Sequence, residues 1–355
     1  MTQNHSRKKS VIASTFLALL LLCLILASCT GNPTTSGQNQ QSEDNTPTSS
    51  NGANDVDVFV EPDAGYQVIT DAISSAKKSV WVQVYLLTEP NVISALQSAA
   101  KKGKDVRVML EDNPYGGGGA AKPQETMDKL KAAGAQAKAT NPKYRLTHSK
   151  LMILDGTTAY IMTANLTKSA LGGSSSAANR EYGIIDKNPQ DVKVLIDMFN
   201  ADWDRKDFSF DNPNLVLSPL NSRSHFLSII NNSKKTLLVE AEEMQDDEVE
   251  NALIAAAKRG VQVQVIVPKP RSMDNNDEGI KHIKKGGVKV KFAGKLIMHA
   301  KIFVADGQLG FVGSENISTS SLDKNREVGI LVTDPDVLST LQKTFSTDWD
   351  TGKAA

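Results

Sequence analysis

The stretch LTHSKLMILDG, residues 146–156, recurs as IMHAKIFVADG at 297–307. His148, Lys150 and Asp155 map onto His299, Lys301 and Asp306, each displaced by 151 positions. Residues two apart on a strand project to one face, so His148 and Lys150 emerge together, as do His299 and Lys301. The apolar run after each lysine predicts a buried strand. Asp-Gly between two apolar runs is a hairpin-turn signal. Asp155 and Asp306 are therefore expected to shape turns rather than to touch a substrate. One such match arises by chance at a rate of roughly a few per cent in a chain this long. Two matches at equivalent places of a repeat point to function.

The flanking sequence repeats in the same order. VDVFVEP (56–62) is answered by LVLSPL (215–220), YQVITDAISSAKKSVWVQ (66–83) by HFLSIINNSKKTLLVE (225–240), and VISALQSAAKKGKDVRVML (92–110) by VENALIAAAKRGVQVQVIV (249–267). The halves close on ADWD (201–204) and TDWD (347–350). Short β-branched runs alternate with helical apolar spacing, which predicts an α/β fold. The expectation is a duplicated domain, 55–205 and 206–355, of two mixed β-sheets flanked by helices. Pseudo-two-fold packing would put the site at the interface.

The strand returning from each turn carries polar residues two apart, Thr163 with Asn165 and Ser314 with Asn316. A hairpin brings these beside the histidine and lysine. Asn-Arg-Glu follows at 179–181 and again at 325–327, and Glu181 and Glu327 can accept from a histidine Nδ1–H. Two H-x-K-x4-D motifs, a trailing Asn and a later acid in each half resemble the phospholipase D superfamily, over residues 56–351.

The resemblance implies a duplicated phospholipase D-like domain and a phosphohistidine mechanism without metal or cofactor. His148 would be the nucleophile and His299 the acid/base, though sequence symmetry permits the reverse. Lys150, Lys301, Asn165 and Asn316 would hold phosphoryl oxygens, with Thr163 and Ser314 also against the substrate. Glu181 and Glu327 would orient the histidines. The second half reads GSEN at 313–316, as the family pattern does. The first reads MTAN at 162–165, with Met162 in place of glycine and Thr163 in place of serine.

Other groups receive structural readings. His225 and His282 lie on expected helices without equivalents. The acidic run EAEEMQDDEVE (240–250) is read as a strand end, a solvated loop and a helix cap at Asp246 or Asp247. PYGGGGA (114–120) lacks the Lys-Ser/Thr of a phosphate-binding loop and is expected to be a flexible loop. Trp203 and Trp349 are expected to pack in the core.

A basic RKK start, an apolar run and LASC at 26–29 resemble a bacterial lipoprotein signal over 1–28, with Cys29 as the lipidated residue. Residues 29–54 are polar and small, which predicts a flexible linker. The expected location is extracytoplasmic, anchored to a membrane through the lipid. The only two cysteines, Cys23 and Cys29, lie in this N-terminal region, so the folded part has no disulfide and no thiol chemistry. Removing Arg7, Lys8 and Lys9 with the signal takes the 40 basic residues to 37, against 40 acids, a net of −3. A nucleic-acid binder would usually show a basic excess. The favoured reading is phospholipase D-type hydrolysis of membrane phospholipids, or transfer of their phosphatidyl group. The alternative is an extracytoplasmic metal-independent nuclease. With both half-sites on one chain, a monomer suffices.

Overall fold

The computed structural model describes residues 52–114, 122–173, 178–270 and 276–355. The first half runs β1 (Asp57–Glu61), α1 (Gln67–Ser75), β2 (Ser79–Val84), α2 (Pro90–Lys101), β3 (Asp105–Leu110), α3 (Pro123–Ala132), β4 (Gln136–Ala139), β5 (Lys150–Leu154), β6 (Thr158–Met162), β7 (Asn179–Asp186) and α4 (Pro189–Asp204). The second runs β8 (Leu215–Ser218), α5 (Ser222–Asn232), β9 (Thr236–Ala241), β10 (Met244–Gln245), α6 (Asp247–Lys258), β11 (Gln262–Val267), α7 (Asp277–Lys285) and β12 (Lys289–Phe292). It continues with β13 (Ile297–Met298), β14 (Lys301–Ala305), β15 (Leu309–Gly313), β16 (Ile317–Ser318), α8 (Thr319–Asp323), β17 (Glu327–Val332), α9 (Pro335–Thr351) and β18 (Lys353–Ala354).

The strand order shows the duplication. One sheet is β1-β7-β6-β5-β2-β3-β4; the other is β8-β17-β15-β14-β9-β11-β12, with β18 at its edge. The lobes also exchange backbone. β13, from the second half, pairs in parallel with β7 of the first. Thr147 of the first half bridges Arg326 of the second.

Why these residues make these elements is visible at their ends. Asn188 and Asp334 cap α4 and α9 by accepting from the first free amides, with a proline at the first helical position of each. At the hairpin tips, Asp155 (φ 56°) with Gly156 (φ 69°), and Asp306 (φ 55°) with Gly307 (φ 67°), all take the left-handed conformation. Successive positive φ angles are what a type I′ hairpin turn demands. Each aspartate also accepts three backbone amides, from Lys77, Lys78 and Ser79 in one lobe and Lys234, Lys235 and Thr236 in the other. The turn is thereby tied to the start of β2 or β9, at the opposite end of the strand from the histidine.

Three apolar clusters follow from this layering. One lies between the first sheet and α1–α3, and one between the second sheet and α5–α7. The third is central, filled from both sheets by residues such as Ile153, Ile161, Val304 and Val312, and from α4 and α9 by Phe199 and Phe345. Trp203 and Trp349 stack on those two phenylalanines, as expected of core packing. Next to this core, the repeated motifs meet as buried ion pairs across the lobes. Arg180 donates to both oxygens of Asp348, at 2.6 and 3.1 Å, and Arg326 to both of Asp202, at 2.9 and 3.1 Å.

Residues 1–51, including Cys29 and most of the expected linker, lie outside the described residues, as do 115–121 of the glycine-rich stretch. The last residues of the linker, 52–54, depart from the expectation. Ala53 is buried and pairs with the second lobe, donating to Leu331 O and accepting from Thr333 N. Among the described residues, no helix is long and apolar enough to cross a membrane.

Removing one partner of a buried bidentate pair leaves an uncompensated charge. Arg326→Ala, which strands Asp202, is expected to lower unfolding free energy by about 3–5 kcal/mol. Urea denaturation reads this as a lower midpoint; an unchanged midpoint would show the pair to be energetically neutral.

Candidate active site

The two motif segments converge because each is carried on backbone paired with the other lobe. His148 lies just before β5, where its N–H and that of Ser149 both donate to Arg326 O. His299 sits between β13 and β14, directly after the two residues that join the first sheet. Both histidines therefore enter at the junction of the lobes, outside the regular strands on which the sequence places them.

The orienting acids are exchanged. His148 Nδ1 lies 3.0 Å from Glu327 Oε2, an acid of the second lobe. His299 Nδ1 lies 2.8 Å from Glu181 Oε1, an acid of the first. Both carboxylates are fully buried and held by their own lobes. Glu181 accepts from Thr163 Oγ1 at 2.6 Å and Asn179 Nδ2 at 3.0 Å. Glu327 accepts from Ser321 Oγ at 2.7 Å and Asn325 Nδ2 at 3.1 Å. No residue of the repeated Asn-Arg-Glu is idle. The asparagine steadies the acid, the arginine joins the lobes, and the glutamate reaches the opposite histidine.

Burial pushes the His148 imidazole below its ordinary value, more strongly than Glu327 raises it. Burial also opposes ionisation of Glu327, but His148 and Lys150 overcome it and hold the carboxyl low. The Glu327 carboxylate can accept from Nδ1–H, which leaves Nε2 out of that hydrogen bond. Lys150 is buried, its ammonium donating to His148 O. Burial and the nearby charge of Lys301 bring it down to about 7, against the pull of Glu327. Lys301 reaches back to His299 O in the same way and lies 3.1 Å from His299 Nδ1.

Asn165 and Asn316 are both nearly buried. Asn165 Oδ1 accepts weakly from Leu86 N at 3.3 Å, whereas Asn316 Oδ1 finds no partner among the described residues. Thr163 and Ser314 correct the expectation of substrate contact. Both are fully buried, and their hydroxyls accept from Tyr182 N and Val328 N, each at 2.9 Å. They fix the acid-bearing strands and stand behind the site.

The departure at Met162 also has a physical reason. A Cβ on Gly313 would lie 2.4 Å from Glu315 Oε2 and 2.5 Å from Gly329 Cα. The first lobe has Ala164 where the second has Glu315, so one of the groups that would meet a side chain at this position is absent there.

Glu242 is a site residue that the sequence alone does not single out. It directly follows β9, where the acidic run predicts a solvated loop. Its Oε2 lies 2.5 Å from Lys301 Nζ and its Oε1 3.3 Å from His299 Nε2. Burial disfavours its charge, yet His299 and Lys301 hold the carboxyl far below its ordinary value. Strand register identifies its counterpart. Ala241 pairs with Lys301 and Val84 with Lys150, so Glu242 corresponds to Tyr85. The Tyr85 ring stands edge-on to His148 at 4.8 Å. Asp246 caps α6 through Val249 N as expected, but the run is not a solvated loop, because Glu240 and Glu250 are buried and Met244–Gln245 form β10. His225 and His282 remain on α5 and α7, the latter 2.9 Å from Asn251 Oδ1. Among the described residues no acid and histidine group is arranged to hold a metal ion.

A family model described as "Cardiolipin synthase, PLD-like domain" matches residues 69–203 and 226–349. The chain is 25% identical over 343 residues to a cardiolipin synthase of Clostridium perfringens (strain SM101 / Type A), covering 83% of this chain and 70% of that protein. The fold is similar to that of phosphatidylserine synthase from Haemophilus influenzae Rd KW20, with a TM-score of 0.65 at 12% identity, over 84% of this chain and 87% of that one. It is also similar to polyphosphate kinase from Porphyromonas gingivalis, with a TM-score of 0.63 at 17% identity. That match covers 82% of this chain and only 46% of the kinase. At such identities both structures bear on the fold alone.

An anion can draw on Lys150 only while its amine is protonated. Because that amine titrates at about 7, affinity for sulfate should be level below that pH and fall above it. The fall is at most about tenfold per unit. Sulfate keeps its charge over this range, so calorimetric titration from pH 6 to 9 isolates the lysine. Persistence of the step in Lys150→Met would assign it to another group.

Proposed function

The chain belongs to the family of PLD-like domains described for cardiolipin synthase, enzymes of phospholipase D-type phosphodiester chemistry, and on that premise we propose that it moves phosphatidyl groups between membrane phospholipids. The observation that carries this reading is the pair of histidines at one junction, each held at Nδ1 by a buried glutamate of the opposite lobe. That arrangement supports two imidazoles acting in sequence on one phosphorus atom.

In this reading His148 is the nucleophile. Its lowered basicity favours the neutral ring, and Glu327 accepting from Nδ1–H leaves the Nε2 lone pair for attack. As the N–P bond forms, the P–O bond to the leaving alcohol breaks and His299 gives that oxygen a proton. A phosphatidyl-histidine results. His299 then takes a proton from an incoming hydroxyl, whose oxygen attacks phosphorus and releases His148. Lys150, Lys301, Asn165 and Asn316 steady the phosphoryl oxygens through both steps. Thr163 and Ser314 position the acid strands, and Asp155 and Asp306 hold the hairpins.

The relatives' name favours a lipid hydroxyl over water as acceptor, because building cardiolipin joins two phosphatidyl groups through one glycerol. Hydrolysis, with water as acceptor, is the side reaction. A lipid on Cys29 would confine the enzyme to the membrane surface outside the cytoplasm, raising the effective concentration of both donor and acceptor.

The test offers the purified chain phosphatidylglycerol vesicles, phosphatidylcholine vesicles and DNA, with and without ethanol. Phosphatidylglycerol should give a diphosphatidyl product, and ethanol should divert it to phosphatidylethanol. Cleavage of DNA alone would replace this reading with the nuclease. His148→Ala and His299→Ala should each reduce turnover by at least about a thousandfold. Enzyme denatured at alkaline pH, where a phosphohistidine bond survives, should retain phosphorus-radiolabelled phosphatidyl only when residue 148 is histidine; label retained by His148→Ala and lost by His299→Ala would reverse the assignment.

A further inference from the structure

The half-sites are alike in histidine, lysine, asparagine and acid, and unlike in the side chain that faces each imidazole. Tyr85 faces His148, whereas Glu242 faces His299. The Glu242 carboxylate touches Lys301 Nζ and His299 Nε2, two groups to which the proposed reaction assigns the phosphoryl oxygens and the leaving-group proton. It lies within electrostatic reach of His148 as well. Its side chain is 29% exposed, just past the end of a strand.

We propose that Glu242 is a specificity-determining residue, a fixed negative charge that admits phosphodiester monoanions and rejects phosphomonoester dianions. The inference rests on the phosphatidyl-transfer reading and adds the charge state of the ligand. In the resting site Lys301 already has an anionic partner. An entering phosphate must share or displace that partner, and the Coulomb cost scales with the ligand's own charge. A monoanion meets one unit of repulsion from Glu242 and a dianion meets two. Phosphatidyl lipids with an esterified headgroup are monoanions at phosphorus. Phosphatidic acid, which forms when water takes the acceptor's place, carries close to two charges above its second pKa. Glu242 thus clears the side product and keeps Lys301 for the donor.

The scaling gives a test that a merely structural role would not satisfy. If removing the charge strengthens monoanion binding by a factor f, dianion binding should strengthen by about f squared. Calorimetry at pH 8 compares dimethyl phosphate, a monoanion, with inorganic phosphate, a dianion, on the full chain in detergent. For Glu242→Gln we expect roughly tenfold tighter dimethyl phosphate and roughly a hundredfold tighter inorganic phosphate. Glu242→Tyr, which gives His299 the neighbour that His148 has, should move the preference the same way; with thermal unfolding, it guards against a folding defect in either variant. Equal factors for the two anions, or none, would overturn the charge filter and leave the transfer reading standing. Failure of both anions to bind any of the three folded proteins would overturn the phosphoryl site itself, and the filter with it.

Discussion

A carboxylate buried in one lobe holds the imidazole of the other, and most of the architecture serves that exchange. Neither glutamate can reach its histidine unless the lobes are locked in register. The lock is made of the crossed arginine–aspartate pairs, the shared central core, and short backbone pairings that carry each histidine across the junction. Buried ion pairs of this kind contribute little net stability over well-packed apolar groups but penalise misalignment heavily. That suits a site in which two rings must address one atom.

The fold was largely legible in the sequence, because duplication lets each half check the other. A strand inferred at 106–110 is supported by its echo at 263–267, and the Asp-Gly turns fall where the chain reverses. Part of the site was legible for the same reason. What escaped was whatever depends on which lobe meets which. Nothing in Asn-Arg-Glu says that its arginine joins the opposite Asp-Trp-Asp, or that its glutamate serves the opposite histidine. In that Asp-Trp-Asp repeat the tryptophan is the conspicuous residue, while the aspartate before it makes the contact across the lobes. Thr163 and Ser314 mislead because parity along a strand gives the face a side chain points to, not whether a neighbouring strand already covers it.

Glu242 escaped for another reason. In a run of seven acids among eleven residues, composition speaks for solvent, and the members that turn inward leave no mark on it. Only the ladder, which sets Ala241 beside Lys301, brings the next side chain to the lysine. The contrast with Tyr85 is nonetheless present in the aligned halves. A duplicated enzyme advertises its shared chemistry by what repeats, and its division of labour by what does not.

The crossing of β13 into the first sheet bears on ancestry. A chain of half this length, bearing one motif, would have a histidine without its acid and an arginine without its aspartate. Two copies about a two-fold axis would supply both at once, since the acid–histidine and arginine–aspartate contacts between the lobes each have a mirror in the reverse direction. Gene fusion of such a homodimer would keep those contacts while freeing the two copies to diverge, and position 242 is one place beside the reacting groups where they differ.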